Sequence, residues 1–356
     1  MVQTGHREDF MSKKLFAFCL FSIGITIFLL VGSPAPPSPE ELNDAPAPGL
    51  RPVTYHGHHA ISIFLASRSN QEDRSDNEDG YFVSVRTLIY QLLHSPDTKL
   101  QNPVPVVVLV PKHVKESKVQ TLRHDGAIVV EVEDVTHNTP IAAERWTSMA
   151  TKLHIFDPAV VPYEKVLFMD ADMVLTRPID KIFQEFSTEL SPITNTTQAE
   201  AEVGPLPEQY ILAASPESHR KDHTYPFLDS DHTASTFNSG LFIYSPSVEI
   251  FQYYMTLVDH PELYYTGVPD QDLLNYAHRW GGPMAWKRLH WSWYINEPND
   301  NDFQGKMALL HTKWWEQGTS ISKDAVEQFA FARRWEMEGY WKGRNDKRNT
   351  PKFRRL

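Results

Sequence analysis

A short apolar run that ends in two aspartates is the feature that most constrains the fold of this chain. Residues 166–169 read Val-Leu-Phe-Met, with no polar interruption, and Asp170, Ala171 and Asp172 follow. An uninterrupted apolar run of this length indicates a strand that is covered on both faces, as in sheets flanked by helices. Such sheets bind their ligands at the carboxyl ends of the strands. The two carboxylates are therefore expected at a ligand-binding edge.

Two carboxylates one residue apart at that edge suggest a metal site. Aspartate oxygens are hard ligands that can hold magnesium or manganese against the phosphates of a nucleotide. Alone, the Asp-x-Asp pattern is also typical of turns and helix caps. The apolar strand before it, Pro178 at an expected helix start and the motifs described below favour the metal interpretation. The pattern thus indicates transfer from a nucleotide diphosphate.

Length and charge narrow the class of protein. A chain of 356 residues with 41% apolar residues can bury a sizeable core, in one large domain or in two ordinary ones. Its formal net charge of -11 argues against a broad nucleic-acid surface, which needs clustered positive charge. No nucleic-acid partner is expected, and a phosphate ligand must be held by a metal and a few local cations.

The N-terminal region predicts a membrane anchor. Residues 15–31 carry no charge, and at about 1.5 Å per residue they span roughly 25 Å as a helix, near the lower limit for crossing a bilayer. Arg7, Lys13 and Lys14 precede this run, which places the N-terminus in the cytoplasm by the positive-inside rule. A cleaved signal peptide is the alternative, but the run is long for one and the Ser-Pro-Ala-Pro-Pro that follows is a poor cleavage site. We therefore expect a single-pass type II protein of a secretory-pathway membrane.

The regions outside the anchor follow from composition. Residues 33–54 are rich in proline and indicate an extended stem. The one cysteine, Cys19, lies in the anchor, so the lumenal part has no disulfide. A sequon for N-glycosylation begins at Asn195 in a polar stretch. The predicted parts are a cytoplasmic tail (1–14), a transmembrane signal anchor (15–32), the stem (33–54), one folded domain (55–341) and a basic tail interpreted as disordered (342–356).

The folded part alternates between strand and helix patterns. Strands are predicted at residues 60–65, 104–110, 127–132, 165–169 and 237–244, and helices at 81–93, 113–124, 142–156, 248–258 and from Pro269 onward. This alternation implies right-handed crossovers and a parallel sheet. The predicted fold class is therefore α/β, in one domain of the nucleotide-binding kind.

Four further segments, together with the Asp-x-Asp strand, resemble a known family. They are Thr151–His154, Phe237–Gly240 (Phe-Asn-Ser-Gly), Asp270–Gln271 and Leu309–His311. In this order, with residues 163–172, they resemble glycosyltransferase family 8, the retaining family that includes glycogenin. The resemblance implies a GT-A type nucleotide-diphospho-sugar transferase fold, with a Rossmann-like, mostly parallel sheet flanked by helices. It also implies a type II Golgi membrane protein with a lumenal catalytic domain.

The resemblance implies a metal site and a donor site. Asp170, Asp172 and His311 would ligate manganese, or magnesium in its place. A lone histidine at a strand end is more often structural, and only its place after the last predicted strand raises His311 above that interpretation. The donor would be bound by Lys152, Asp170, Ala171, Asp172, Asn238, Ser239, Gly240, Asp270, Gln271 and Lys313.

Within this set the residue types suit their implied roles. Lys152 would place an ammonium on donor phosphate, although a surface lysine is the alternative. Asn238–Gly240 would offer an amide and a hydroxyl to sugar hydroxyls and a glycine that permits close approach. Asp270 and Gln271 would reach the reacting face from a helix start, where Asp270 can also act as a cap. Catalysis is therefore assigned to Asp270, Gln271 and Lys152.

The chain departs from the family pattern in three places. His311 is followed by Thr-Lys-Trp-Trp at a shorter spacing than usual, so Lys313 would stand in for the phosphate-binding lysine. The loop at residues 67–80, where relatives bind uridine, is long and acidic. Gly267 occupies a position where relatives often carry an acidic residue, so the acceptor side is expected to differ.

The sequence predicts a retaining glycosyltransferase that moves a sugar from a UDP-sugar to a glycan or glycoprotein acceptor, with manganese stabilising the leaving diphosphate. Retention would follow from attack on the leaving group's face, or from double displacement with Asp270 as nucleophile. The alternative is a catalytically inactive glycan-binding or scaffold membrane protein on the same fold. A phosphoryl-transferring enzyme or nucleotide hydrolase is disfavoured because no Walker A pattern is present. The donor sugar, whether N-acetylglucosamine, glucose, galactose or xylose, the acceptor and the oligomeric state stay open.

Overall fold

A computed structural model describes residues 57–65, 79–135, 150–194, 203–218, 220–228, 235–317 and 324–349. Several predictions fall outside these residues: the cytoplasmic tail, anchor and stem, most of the acidic loop, the first part of the helix predicted from residue 142, and the sequon at Asn195. Within the described ranges, no helix combines the length and the apolar character needed to cross a bilayer.

Strands and helices alternate through the first half of the described chain, as predicted. The strands are β1 (Gly57–Phe64), β2 (Val106–Pro111), β3 (Ile128–Val132), β4 (Tyr163–Met169), β5 (Met173–Leu175), β6 (Ser191–Pro192), β7 (Gln209–Tyr210), β8 (Leu212–Pro216), β9 (Phe237–Tyr244), β10 (Lys287–Arg288), β11 (Tyr294–Asn296) and β12 (Leu309–His311). The α-helices are α1 (Gly80–Leu93), α2 (Glu116–Asp125), α3 (Val248–Val258), α4 (Pro269–Ala277), α5 (Asp300–Gln304) and α6 (Ala325–Asn349). A 3-10 turn at Leu153–Phe156 ends the segment predicted as a helix from residue 142.

The central sheet of the described chain has seven strands in the order β10-β8-β9-β4-β1-β2-β3. The four strands β3, β2, β1 and β4 run parallel, as predicted. β9 runs antiparallel to β4 and to β8, so the sheet is mixed on this side, which agrees with the expectation of a mostly parallel sheet. The long connection between β4 and β9 contains β8, which pairs with β9 on the side away from β4. Because β9 is antiparallel to β4, the two strands run through the sheet in opposite directions. The start of β9, rather than its end, therefore lies beside the end of β4.

Two further sequence predictions need correction. No strand is predicted between residues 169 and 237, yet β8 lies there, and its short run Leu212–Ala214 is fully buried. The basic tail predicted from residue 342 continues α6 as far as Asn349 instead of being disordered. Met337 and Trp341 of α6 are buried in a cluster with Tyr90 of α1, and this apolar contact stabilises the helix in spite of its many charges.

Both faces of the central strands are covered. Along β4, Val166 and Phe168 pack into one core layer and Leu167 and Met169 into the other, and all four side chains are fully buried. Helices α1 and α2 supply apolar side chains to one layer, and α3 and α4 to the other. Each such buried side chain contributes about 1.5–3 kcal/mol of transfer free energy, so β4 is a rigid support for the residues at its end.

A second sheet, β11-β12-β5, begins directly after the two aspartates. β12 pairs parallel with β11 and antiparallel with β5. In the second pairing, His311 lies opposite Met173, the neighbour of Asp172. This register carries a histidine from the C-terminal part of the chain to the end of β4.

Candidate active site

Asp170 and Asp172 follow β4 at the carboxyl edge of the parallel strands, and their backbone is held on both sides. The Asp170 N–H donates to the Gly240 carbonyl oxygen at 2.8 Å, which ties the pair to β9. The Thr312 N–H donates to the Asp172 carbonyl oxygen at 3.0 Å, which ties it to the end of β12. The main chain therefore presents both carboxylates from a fixed position.

The three predicted metal ligands meet at this point. One carboxylate oxygen of Asp170, one of Asp172 and one imidazole nitrogen of His311 all lie within 4.8 Å of one another. Nε2 of His311 is 3.0 Å from Oδ1 of Asp172. Two hard oxygens and one imidazole nitrogen form a ligand set that suits manganese and also accepts magnesium. The residues present therefore fit the metal that the sequence predicts.

Charge is concentrated among these three side chains. Burial raises the pKa of Asp172, but the neighbouring His311 outweighs burial and lowers it below its usual value. Burial lowers the pKa of His311, but Asp172 outweighs it and raises the pKa to about 8. For Asp170, burial outweighs the attraction of Lys152 and raises the pKa to about 6. A bound cation would relieve the cost of holding two carboxylates this close together.

A buried tyrosine orients the histidine. The Tyr294 hydroxyl donates to Oδ1 of Asn238 and lies 2.6 Å from Nδ1 of His311. Asn238 Oδ1 also accepts from the Gly240 N–H at 2.9 Å. Metal-binding histidines usually have their second nitrogen held by such a partner, which fixes the orientation of the ring. Sequence reasoning missed Tyr294 because a tyrosine at the start of a short strand is an ordinary core residue.

Lys152 joins Asp170 to Asp270. Its Nζ donates to Oδ1 of Asp170 at 3.1 Å and to Oδ2 of Asp270 at 2.8 Å, and it lies 4.3 Å from the centre of the Phe168 ring. Burial lowers the pKa of Lys152, but the two carboxylates outweigh it and raise the pKa above the usual lysine value. Lys152 is thus a buried ammonium that bridges two of the predicted site residues, and the alternative of a surface lysine is wrong.

Asp270 and Gln271 lie in the first turn of α4, directly after Pro269. Asp270 Oδ2 accepts from Ser239 Oγ at 3.3 Å, and Gln271 Oε1 accepts from the Ser239 N–H at 3.0 Å. The N–H of Val268, which precedes this helix, donates to the carboxylate of Asp272 at 2.7 Å. Asp270 is therefore directed toward Lys152 and the start of β9.

Glu217 was not predicted, yet it joins three residues of the site. Its carboxylate accepts from Nδ2 of Asn238 at 2.8 Å, from Nε2 of Gln271 at 3.0 Å and from Nδ2 of Asn296. Glu217 is 8% exposed. It follows β8, which runs parallel to β4, so both strands deliver a carboxylate to the same edge. The signal that could have revealed it is the apolar run that begins at Ile211 and ends in an acidic residue.

The two other predicted donor-binding residues occupy different environments. The Ala171 side chain packs into the core, 6% exposed, so only its backbone can face a ligand. Lys313 is exposed and lowers the pKa of Asp172, which places its positive charge near the carboxylate pair.

Trp315 lies against Gly80 at the start of α1: a Cβ on this glycine would lie only 2.2 Å from the indole ring. The segment after His311 thus packs over the first helix of the domain.

Comparison with known proteins gives distant sequence relatives, and no protein-family model matches the chain. An uncharacterized protein of Schizosaccharomyces pombe is 27% identical over 273 residues, which cover 68% of this chain and 70% of that protein. Mouse glycogenin-1 is 28% identical over 190 residues, or 52% of this chain. The match spans 45% of glycogenin-1, less than half its length.

Among solved structures, the bifunctional glycosyltransferase WbbM matches 82% of this chain with a TM-score of 0.46 and 14% identity. The match spans about half of WbbM, 52% of its chain. An active-site mutant of LgtC matches 79% of this chain and 95% of its own, with a TM-score of 0.47 and 12% identity.

Proposed function

We propose that this chain is a glycosyltransferase that moves a sugar from a UDP-sugar to a glycan or glycoprotein acceptor with retention at the anomeric carbon. The observation that carries the proposal is the convergence of Asp170, Asp172 and His311 within 4.8 Å at the carboxyl edge of the sheet. Beside them Lys152 is paired with Asp270 at 2.8 Å. The sequence similarity to mouse glycogenin-1 supports the same reaction class.

The metal centre would be formed by Asp170, Asp172 and His311. Manganese or magnesium, when bound there, supplies Lewis-acid stabilisation of the charge that develops on the departing diphosphate. Lys152 adds a fixed positive charge, 3.1 Å from Oδ1 of Asp170. A buried ammonium that is already in place stabilises a developing phosphate charge without reorganisation at the moment of reaction. Lys313 contributes a second positive charge from the exposed side.

The donor sugar would lie against the start of β9 and the first turn of α4. There Ser239 and Gln271 are locked by hydrogen bonds to each other and to neighbouring groups, so their polar atoms occupy defined positions. Glu217 holds Asn238 and Gln271 in place through their amide nitrogens. Such preorganised polar groups orient a sugar at little entropic cost.

The environment of Asp270 favours attack by the acceptor on the leaving group's face. Lys152 and Ser239 both contact one oxygen of this carboxylate, Oδ2, and this reduces its strength as a nucleophile. In the reaction we propose, the acceptor oxygen bonds to the anomeric carbon as the bond to the diphosphate breaks, and a phosphate oxygen takes the acceptor's proton. Asp270 then stabilises positive charge on the sugar ring by electrostatics.

We further propose that the protein is anchored in a Golgi or other secretory-pathway membrane with the catalytic domain in the lumen. The support is the uncharged run at residues 15–31, the basic residues before it and the proline-rich stem after it. Accessibility of the domain to protease in intact and permeabilised vesicles tests this orientation. Cleavage of the domain in intact vesicles whose cytoplasmic face points outward would contradict this orientation.

The function is tested by donor hydrolysis with the purified full-length chain. UDP-glucose, UDP-galactose, UDP-N-acetylglucosamine and UDP-xylose are each supplied with and without Mn²⁺, and released UDP is measured. The decisive variant is Asp172→Asn, which keeps the shape of the side chain and removes a metal ligand. Its matched control is Asp222→Asn, since Asp222 is an exposed aspartate that pairs with Arg220, two residues away.

We expect the wild-type chain to hydrolyse one donor in a metal-dependent reaction. The rate of hydrolysis should fall by roughly a hundredfold or more in Asp172→Asn and stay at the wild-type value in Asp222→Asn. Failure of the wild-type chain to bind or hydrolyse any of these donors would contradict the proposal and support an inactive glycan-binding or scaffold protein.

A further inference from the structure

An exposed aromatic side chain stands beside the proposed reaction centre and has no part in the site described above. Tyr265 is 79% exposed, and among the large hydrophobic residues that the structure describes only Phe186 is more exposed. Tyr265 lies in the loop between α3 and α4, and α4 carries Asp270 in its first turn. Two neighbours in the same loop, Leu263 and Val268, are 37% and 42% exposed.

The exposed Tyr265 ring lies directly over Gly267. A Cβ added to Gly267 would lie 2.3 Å from Cε1, 2.7 Å from Cζ and 2.7 Å from the hydroxyl of Tyr265. The ring therefore occupies the space that a side chain at position 267 would take, and a larger residue there would displace the ring. A tyrosine on the surface of a mobile loop would lose entropy on binding a ligand, whereas a ring already seated on the backbone loses less.

The loop itself is anchored on each side of Tyr265. The hydroxyl of Tyr264 donates to the Leu257 carbonyl oxygen of α3 at 3.1 Å. The Val268 N–H donates to the Asp272 carboxylate of α4 at 2.7 Å. The position of Tyr265 is thus fixed relative to both helices, including the end of α4 that faces the candidate site.

The separation from the reaction centre is short. Gly267 and Asp270 are three residues apart, so their Cα atoms are separated by at most about 11 Å. Tyr265, which lies against Gly267, is therefore within the length of a short oligosaccharide from the Asp270 carboxylate. Asp270 is not sealed from solvent, because 20% of its side chain is exposed.

We infer that Tyr265 is a stacking platform for the acceptor and that the acceptor is a glycan, one of whose sugar rings lies against the aromatic ring. An aromatic ring with a polar tip suits a sugar, which has an apolar C–H face and hydroxyls at its edge. A protein surface is the less suitable occupant, because a stable protein interface buries about 800 Å² on each partner and three partly exposed side chains supply far less.

This inference rests on the proposed glycosyltransferase function, and the experiment separates the two. The full-length chain is given the UDP-sugar that it hydrolyses, with a panel of methyl glycosides of glucose, galactose, xylose, mannose and N-acetylglucosamine as acceptors. Acceptor KM, donor KM and the rate of donor hydrolysis without acceptor are measured. Saturation-transfer NMR with the same glycosides, UDP and Mg²⁺ reports direct contact between protein and sugar.

Three variants test the platform. Tyr265→Ala removes the ring, Tyr265→Trp keeps an aromatic face, and Gly267→Ala keeps the tyrosine but displaces it. We expect the acceptor KM to rise roughly tenfold in Tyr265→Ala and Gly267→Ala, with little change in Tyr265→Trp. Phe186→Ala is the matched control, because Phe186 is 87% exposed and lies in a different part of the fold, so its removal is expected to change none of these values.

The outcomes are distinguishable. A rise in acceptor KM with an unchanged donor KM, together with loss of the saturation-transfer signal in Tyr265→Ala and Gly267→Ala, supports the platform. Equal acceptor KM in Tyr265→Ala and wild type overturns it and leaves the proposed function standing. The platform is also overturned if the wild-type chain hydrolyses a donor but binds no glycoside. If the wild-type chain hydrolyses no donor at all, the proposed function itself is overturned.

Discussion

The hydroxyl of Tyr294 lies 2.6 Å from Nδ1 of His311 and at the same time donates its proton to Oδ1 of Asn238. A hydroxyl has one proton, so toward His311 the oxygen of Tyr294 can only accept. Nδ1 must therefore carry a hydrogen, and Nε2 is the nitrogen that faces Asp172, at 3.0 Å. The hydrogen-bond chain selects the tautomer that a metal ligand needs.

We expect Tyr294→Phe to weaken metal binding by about tenfold to a hundredfold, because the ring of His311 loses the partner that orients it. Isothermal titration with Mn²⁺ in the presence of UDP measures the change. Tyr225→Phe is the matched control, since its hydroxyl donates to the Gly305 carbonyl oxygen away from the metal ligands. Equal Mn²⁺ affinity in the Tyr294 variant and the wild type would show that the orientation of His311 does not depend on this bond.

Gly240→Ala is expected to displace His311. A Cβ at position 240 would lie 2.6 Å from Cε1 and 2.7 Å from Nδ1 of His311, closer than real Cβ contacts. The imidazole must then move from the aspartates, and we expect metal-dependent donor hydrolysis to fall by roughly a hundredfold. Gly339→Ala in α6 has no atom near its new methyl group and should stabilise the helix by about 1 kcal/mol. Normal Mn²⁺ affinity in Gly240→Ala would contradict the crowding argument.

Removal of the Lys152 charge should destabilise the protein. Lys152→Met leaves Asp170 and Asp270 without their buried counter-charge, and breaking such a pair costs about 3 kcal/mol of unfolding free energy. Urea denaturation measures this cost, and Mn²⁺ should stabilise the variant more than the wild type because the cation replaces the lost charge. Lys112→Met, in an exposed pair with Glu133, should change the free energy by less than about 0.5 kcal/mol. The same small change in both lysine variants would mean that the site does not depend on Lys152 for its charge balance.

Acid should destabilise the fold through His278. Burial lowers the pKa of this histidine to about 4, and its neutral ring accepts from the Tyr254 hydroxyl and donates from Nδ1 to the Met284 carbonyl oxygen. Above pH 6.5, the ordinary histidine value, neither the folded nor the unfolded chain binds this proton. As the pH falls from there toward about 4, only the unfolded chain binds it, so the unfolding free energy drops by about 3 kcal/mol.

Urea denaturation across this pH range tests the role of His278. His278→Gln should flatten the slope of unfolding free energy against pH, and His260→Gln, an exposed histidine, should not. An unchanged slope in His278→Gln would assign the acid sensitivity to other groups.

The first part of the fold could be predicted because its signals are local. β4 is a continuous apolar run, and such a run is enough to indicate a buried strand and to place Asp170 and Asp172 at its end. The grouping of His311 with them came from a family pattern, since the pairing of β5 with β12 joins residues that are far apart in the chain. Long-range register is not visible in local periodicity.

Other elements were missed because their local signal is weak. β8 and β10 are only five and two residues long, too short for a period to stand out from the polar segments around them. Glu217 follows β8 and was not predicted as a site residue, although it accepts three amide hydrogen bonds. Likewise, the basic end of α6 was interpreted as a tail because its charges outnumber the apolar residues, while the helix depends on a few large ones such as Trp341.

The antiparallel pairing of β5 with β12 has a consequence for how the protein matures. Both aspartates come from the middle of the chain, whereas the third ligand arrives only with the last described strand. A nascent or truncated chain that stops before residue 309 has the acidic pair and no histidine beside it. In the function we propose, the three metal ligands come together only once β12 has paired with β5, so metal affinity would report that this strand is in place.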